Sequence, residues 1–289
     1  MSKHEKCILC QSDNLNELVA YKKAFLCQCQ SCNFIFSQQI PSTDELDNYY
    51  KNYGIHQYLS PITIKRYNEL LDQFEPFRKT NKILDVGCGL GYFLEEAKKR
   101  GWEVYGTELS EKASEIAANK GINIVKGNLS SNDYAPNMFD IITSYEVIEH
   151  INHPKNELVN FNKVLRQGGL VYVTTPNFNS LLRYQLKAKY NIITYPEHLS
   201  YYTPQTLKRL FESNGFIKHS IESTGISLTR FKTSRGISEQ KFISARSDDE
   251  KIRNQMDNIW YLKISKDIIN AILTVLGKGD SLKGLFIKK

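Results

Sequence analysis

Four groups of residues in this chain have the types and spacings that chemistry uses. Cys7-Ile-Leu-Cys10 and Cys29-Gln-Ser-Cys32 are two CxxC pairs with 18 residues between them. Each pair puts two thiolates on a tight turn, and together they make the four soft ligands of a zinc site. A site closed by four thiolates keeps no open position, so it is structural rather than catalytic. Glu146-Val-Ile-Glu149-His150 offers two carboxylates and an imidazole. On a helical turn positions i, i+3 and i+4 share a face, where they could hold a divalent metal with positions left open. Tyr195-Pro-Glu197-His198 sets a histidine beside a carboxylate, a pair suited to removing a proton from a nucleophile, or simply to holding a loop together. Finally, Asp85 precedes Gly87, Gly89 and Gly91, and Glu108 follows 23 residues after Asp85. Alternate glycines let a ligand approach the backbone, and an acidic residue at the end of the next strand can accept bonds from ribose hydroxyls.

The elements that must position these groups read as strands alternating with helices. Strands are expected over 82–86, 103–107, 122–125, 139–144 and 170–174, with helices from Phe93, from Ser110 and over 155–165. Such alternation builds a parallel sheet with right-handed crossovers. The glycine loop opens the first helix, but Tyr92 stands where GxGxxG wants its third glycine, and no P-loop lysine is present. It is therefore not a phosphate cradle. The second acidic group lies at the end of the fourth strand, where open α/β sheets place ligands. The His198 loop precedes a helix capped at Thr203. Ser227 to Asp249 is basic and aperiodic and reads as a loop or flap over the substrate. Lys251 to Leu276 is helical, with Ile264, Ile268, Ile272 and Val275 or Leu276 on one stripe that reads as core or a homodimer face, a membrane-surface helix being the alternative.

Composition sets the outer bounds. With 289 residues, 41% hydrophobic and 24% charged, the chain can bury one core plus a small accessory module. Nowhere do about 18 apolar residues run together, so no spanning segment is expected. Met1 to Lys6 is charged, with no apolar stretch after it, so a cytoplasmic and reducing setting is expected, which favours zinc over disulfides. The net charge of +7 permits an anionic substrate. The other histidines, His4, His56, His153 and His219, lack this context and read as surface residues.

Asp85-x-Gly-x-Gly-x-Gly resembles motif I of the class I S-adenosylmethionine (SAM) methyltransferases, and Glu108, Gly127-Asn128-Leu129 and Arg166-Gln-Gly-Gly169 fall where that pattern wants them. The resemblance implies an α/β, doubly wound, mostly parallel seven-stranded class I methyltransferase sheet, whose last strand inserts antiparallel beside the fifth. It implies SAM contacts for Asp85, Gly87, Gly89, Gly91, Glu108, Leu109, Asn128, Leu129, Tyr145 and Glu146. The order of CxxC ribbon, Pro41-Ser-Thr-x-Glu-Leu46 and Tyr49-Tyr50 resembles the N-terminal module of bacterial sugar methyltransferases. Tyr195-x-Glu197-His198 resembles the catalytic segment of nucleotide-sugar C-methyltransferases. Those chains carry a further α/β domain, whereas fewer than 75 residues follow Gly215 here, which favours a sugar hydroxyl as acceptor. Glu146-x-x-Glu149-His150 resembles the metal-binding motif of ubiquinone-pathway O-methyltransferases and small-RNA 3′-terminal methyltransferases, where it implies Mg²⁺ or a similar ion.

The expected organisation is a zinc ribbon (1–40), a helical linker (41–80), a SAM-binding core (81–225) and a substrate cap with a final helix and strand (226–289). The expected activity is methyl transfer to a nucleotide sugar or glycan intermediate, with Tyr195, Glu197, His198 and His150 as catalytic residues. The alternatives are Mg²⁺-dependent O-methylation of a quinone precursor or RNA 3′ end, and a zinc-ribbon nucleic-acid-binding protein on a non-catalytic fold. Lys22 and Lys23 make no basic stripe with interleaved aromatics, so nucleic acid is not the expected partner.

Overall fold

The computed structural model describes residues 2–51, 58–237 and 259–289, together with Glu250 and Met256. Tyr53, Gly54, His56 and residues 238–249 of the basic stretch lie outside the described residues. The chain begins with a small antiparallel meander, β1 (Leu15–Glu17), β2 (Leu26–Cys29) and β3 (Ile35–Ser37). A short helix follows, α1 (Thr43–Lys51). Ser42 caps it, accepting from the Glu45 N–H at 3.2 Å while the Glu45 carboxylate accepts the Ser42 N–H at 2.9 Å. Next, α2 (Pro61–Phe74) starts at Ser60 and buries Ile62, Leu70, Leu71 and Phe74. It stops before Pro76, and a single 3₁₀ turn leads into the core.

The core runs β4 (Lys82–Val86), α3 (Tyr92–Lys99), β5 (Glu103–Glu108), α4 (Glu111–Asn119), β6 (Asn123–Lys126), β7 (Phe139–Tyr145), α5 (Pro154–Val164) and β8 (Leu165–Pro176). It continues through α6 (Leu181–Leu186), β9 (Ser200–Tyr201), α7 (Pro204–Glu212), β10 (Phe216–Thr224), α8 (Leu228–Ser234), α9 (Trp260–Leu276) and β11 (Ser281–Lys288). Seven strands form one sheet in the order β10-β11-β8-β7-β4-β5-β6. β4 to β8 are parallel, and β11 lies antiparallel between β8 and β10, as the last strand was expected to. Ile83, Leu84, Ile141 and Ile142 are fully buried, which is why β4 and β7 read as continuous apolar runs. The strand order reverses between β4 and β7, so the ligand crevice opens at their carboxyl ends.

At the other end of the sheet, the Asp140 carboxylate accepts the N–H groups of Lys79, Thr80 and Asn81 at 2.7–2.8 Å and pairs with Arg166. Burial alone would raise its pKa. The guanidinium and the three N–H donors outweigh burial and hold it below the ordinary aspartate value.

The ribbon is joined to the core: β9 adds a fourth strand to its sheet, pairing Ile35 with Tyr201 and Phe36 with Ser200. Two expectations are corrected. His4 is buried, its Nε2 bonded to Asn152 and its ring edge-on to Phe36 and His153, whereas His153 and His219 are at the surface as expected. The stretch from Ser227 is helical at its start, because Ser227 Oγ accepts the Arg230 N–H and caps α8. Seven residues are too few for a 3.6-residue period to be visible in sequence.

Candidate active site

The cofactor end of the crevice is built by backbone. β4 ends in the loop Gly87-Cys88-Gly89-Leu90-Gly91, whose glycines all have positive φ, and Gly91 is the N-cap of α3. A Cβ at Gly87 would meet Val147 at 2.5 Å and one at Gly91 would meet Ile122 at 2.5 Å, so packing requires both glycines. At Gly89 there is nothing within 4 Å, and the loop presents an open backbone face there. The Glu108 carboxylate accepts the Gly89 N–H at 2.9 Å and the Ser110 N–H at 2.7 Å, tying the glycine loop to the start of α4. Asp85 is buried and accepts from Thr143 Oγ1 at 2.7 Å. Burial, with Glu108 nearby, pushes its pKa up to about 7. The hydroxyls of Ser144 and Tyr145 are buried and find no hydrogen-bond partner among the described residues, so the carboxyl end of β7 has donors left for a polar ligand. Leu109 and Asn128 are exposed beside this crevice. Leu129 differs from expectation: its side chain is buried in the core and its carbonyl is taken by Asn160 Nδ2 at 2.9 Å. These features fit a nucleoside cofactor.

The acceptor end is built from three separate segments. β7 breaks at Glu146, whose φ is +52°, and a 3₁₀ turn, Ile148–His150, follows instead of an α-helical one. The expected shared face of Glu146, Glu149 and His150 therefore does not form. Glu149 turns inward, buried, with Thr175 Oγ1 donating to it at 3.0 Å. Burial first, then the Glu146 charge, raises the Glu149 pKa well above the ordinary glutamate value. Glu146 faces Arg230 of α8 instead, at 3.8 Å.

His198 takes the third place. One ligand atom each from Glu149, His150 and His198 lie within 4.8 Å of one another. The two imidazoles meet edge-on with centroids 4.9 Å apart. His150 Nδ1 donates to the Glu197 carbonyl at 2.8 Å and His198 Nδ1 to the Ile192 carbonyl at 2.6 Å. A carbonyl oxygen only accepts, so both Nδ1 atoms carry a proton, and in a neutral ring that leaves the lone pair on Nε2. Burial, with His150 beside it, pushes the His198 pKa down to about 4. A neutral imidazole is what a metal ligand must be, whereas a free base with that pKa is a weak one at neutral pH.

The roles expected of Glu197 and Tyr195 shift as well. The Glu197 side chain accepts from Thr194 Oγ1 at 3.1 Å, and it is its carbonyl that orients His150. Tyr195 packs edge-on against Phe25 of the ribbon, centroids 4.9 Å apart, and its hydroxyl is buried with no hydrogen-bond partner among the described residues. Arg230 was not foreseen. It lies in the stretch that looked aperiodic, and only the Ser227 cap could have signalled the short helix that carries it.

The four ribbon cysteines converge, all Sγ atoms within 4.8 Å. Cys7–Cys32 and Cys10–Cys29 stand at 3.5 Å, far beyond a disulfide bond of about 2.05 Å and close to the roughly 3.8 Å edge of a tetrahedron with 2.3 Å metal–sulfur bonds. Cys7 Sγ accepts the N–H groups of Leu9 and Cys10, both at 3.4 Å, as a knuckle thiolate does. None of the six cysteines is in a disulfide.

Fold and crevice together have the architecture of a class I methyltransferase domain. The family model described as "Methyltransferase domain" matches residues 58–221, more than half of the chain, and the protein belongs to that family. Among curated proteins, the ubiquinone biosynthesis O-methyltransferase of Aeromonas salmonicida is 28% identical over 149 residues, 47% of this chain and 63% of that one. The chain thus spans less than two thirds of that relative's length. A SAM-dependent methyltransferase from Archaeoglobus fulgidus superposes with a TM-score of 0.53 at 21% identity, over 78% of this chain and 93% of that one. Phosphoethanolamine N-methyltransferase 2 of Haemonchus contortus, solved with SAM, gives 0.55 at 19% identity, over 88% and 61%. At such identities these two speak for the fold alone.

Proposed function

We propose that the protein transfers the SAM methyl group to a hydroxyl oxygen of a small-molecule acceptor, with a divalent cation held by Glu149, His150 and His198. The observation that carries this reading is one buried carboxylate converging with two imidazoles whose Nδ1 protons are committed to carbonyl oxygens. Metal-ligating histidines are oriented in this way, by a bond from the second ring nitrogen. SAM supplies the electrophilic methyl carbon and the leaving group, so the chain need only align the acceptor and dispose of its proton. Glu149, His150 and His198 would hold the cation, which would supply Lewis acidity that makes a hydroxyl easier to ionise. Two nitrogens and one oxygen suit Mn²⁺, Fe²⁺ or Zn²⁺ better than Mg²⁺, which prefers all-oxygen surroundings.

In this reading Asp85, the Gly89 backbone and Glu108 bind SAM, with Glu108 on the ribose. Glu146 and Arg230 close the acceptor side as an ion pair. Cys7, Cys10, Cys29 and Cys32 hold a structural zinc, which their sulfur spacing supports. The name ubiquinone biosynthesis O-methyltransferase, carried by the matched relatives, supports a quinone-precursor hydroxyl over the sugar hydroxyl.

The test is methyl transfer by chelator-treated protein, with zinc content monitored so that the ribbon is known to be loaded. A phenolic quinone precursor, a nucleotide sugar and an RNA 3′ end are offered in parallel. Transfer to the phenol, lost in chelator and restored better by Mn²⁺ than by Mg²⁺, is expected. Full activity in chelator removes the cation from the reading; transfer to the nucleotide sugar or RNA alone removes the acceptor.

A further inference from the structure

Lys22 and Lys23 are an isolated pair in the sequence, but packing gives them company. The 3₁₀ turn that carries them, Val19–Ala24, rests against a second turn, Lys187–Lys189, which continues α6. All four of these lysines are exposed. Arg183 of α6 ties the two turns together, Nη1 donating to the Tyr21 hydroxyl at 3.5 Å. Its guanidinium is fixed again by the Phe178 carbonyl, which accepts from Nε at 2.7 Å, and by the Tyr184 ring, whose centroid lies 3.7 Å away. Lys278 stands over the same ring at 4.1 Å, its Nζ donating to Asn179 Oδ1 at 2.8 Å. Burial alone would raise the Tyr184 pKa; Lys278 and Arg183 outweigh it and hold it below the ordinary tyrosine value. Ribbon and core thus share one basic surface built around an aromatic ring.

Acids are missing from both sides of this surface. The chain carries no Asp or Glu from residue 18 to 43 or from 158 to 196, the two stretches that meet here. Lys22, Lys23, Arg183, Lys187, Lys189 and Lys278 form no ion pair among the described residues, whereas Lys99, Lys120 and Lys126 elsewhere each reach a glutamate. Glu45, beside Tyr195, bounds the surface at one end. Cations held by rings and amide oxygens, with no acid to neutralise them, are placed for an anion from outside. Their spread over two modules suits a chain of anions better than a single one. Exposed rings decide which chain. Tyr184 is 49% exposed, and Phe25, which closes the turn at Lys22 and Lys23, is 44% exposed. Bases stack on such rings while phosphates meet the cations, whereas a run of carboxylates uses the cations alone.

We propose that the surface centred on Arg183 and Tyr184, and flanked by Lys22, Lys23, Lys187 and Lys189, binds single-stranded nucleic acid. This stands independently of the reaction assigned above. The test is fluorescence anisotropy of the full chain with a labelled single-stranded RNA of about 16 nucleotides. Binding is expected, with log affinity falling against log salt at a slope of about −3 to −4, as for about five neutralised phosphates. The exposed double substitution Lys187→Glu/Lys189→Glu should weaken binding at least about tenfold and flatten that slope by about 1 to 2. Its circular dichroism spectrum and SAM affinity should match wild type. Lys208→Glu/Lys218→Glu, the same change of charge on α7 and β10, should leave binding within about twofold. Absence of binding overturns the proposal, as does equal weakening by the two double variants. Poly-glutamate that competes as well as unlabelled RNA also overturns it, assigning the surface to an acidic peptide.

Discussion

The Leu199 N–H donates to the Glu149 carbonyl at 2.8 Å, and this bond fastens the loop bearing His198 to the turn bearing Glu149 and His150. The Leu199 carbonyl in turn accepts the Ser37 N–H of the ribbon at 2.8 Å. Ser200 Oγ and the Tyr202 hydroxyl add bonds to the carbonyls of Ile151 and Ile148. The thiol cluster, the ribbon sheet and the histidine pair are therefore one mechanical unit, joined through β9.

That unit predicts an effect of the ribbon on chemistry. Cys32→Ser should lose the zinc proposed for the ribbon, by elemental analysis. Methyl transfer should fall roughly ten- to a hundredfold, the scale on which small displacements of aligned groups act. SAM affinity by calorimetry should hold within about twofold, because the glycine loop is built by β4 and β5. Zinc loss with undiminished turnover would show that the ribbon is only an appendage.

Glu149→Gln keeps the shape and the Thr175 contact but removes the anionic donor. Cation affinity and turnover should drop together by at least about a hundredfold, with SAM affinity unchanged. His150→Ala should behave alike. A fall in turnover without any change in bound cation would assign Glu149 to proton transfer instead.

Asp85 gives a pH signature. Its folded pKa is raised to about 7, so the native state holds this proton more tightly than the unfolded chain. The contribution to stability is therefore greatest below the unfolded value near 3.8 and is lost as pH rises through about 7. Asp85→Asn should melt higher than wild type at pH 8 but not at pH 5, while binding SAM at least about tenfold more weakly. Unchanged SAM affinity removes Asp85 from the cofactor site.

Asp140 behaves oppositely. Its folded pKa is lowered, so its contribution is fully present above the unfolded value and is lost as pH falls from there through the lower folded pKa. Asp140→Ala leaves Arg166 without its buried partner and should destabilise the fold by about 3–5 kcal/mol in denaturant titration. A loss below about 1 kcal/mol would mean the turn at Lys79 to Asn81 is held by other contacts.

Arg230→Ala should raise KM for the acceptor more than it lowers kcat, since Arg230 pairs with Glu146 at the edge of the cluster. An unaltered KM would place the acceptor elsewhere in the crevice.

The sequence by itself determined the parts whose chemistry is local. Glycines at alternate positions, an acidic residue at the end of the next strand and two CxxC knuckles are each defined within a few residues of backbone. β4 and β7 were readable because both of their faces are buried, and the strand–helix alternation followed from hydrophobic period. What only the tertiary structure decided is which distant segments meet. Glu146 left the expected trio because a left-handed residue at the end of β7 broke the helical spacing on which the trio depended. His198 entered because a two-residue strand, too short to have a period, paired with the ribbon and swung the loop over Glu149. Arg230 was hidden because α8 is too short to show a period, whereas the apolar stripe of α9 was legible and only its outward direction was not. Periodicity tells which residues of an element share a face; only packing against the rest of the chain decides which way that face points.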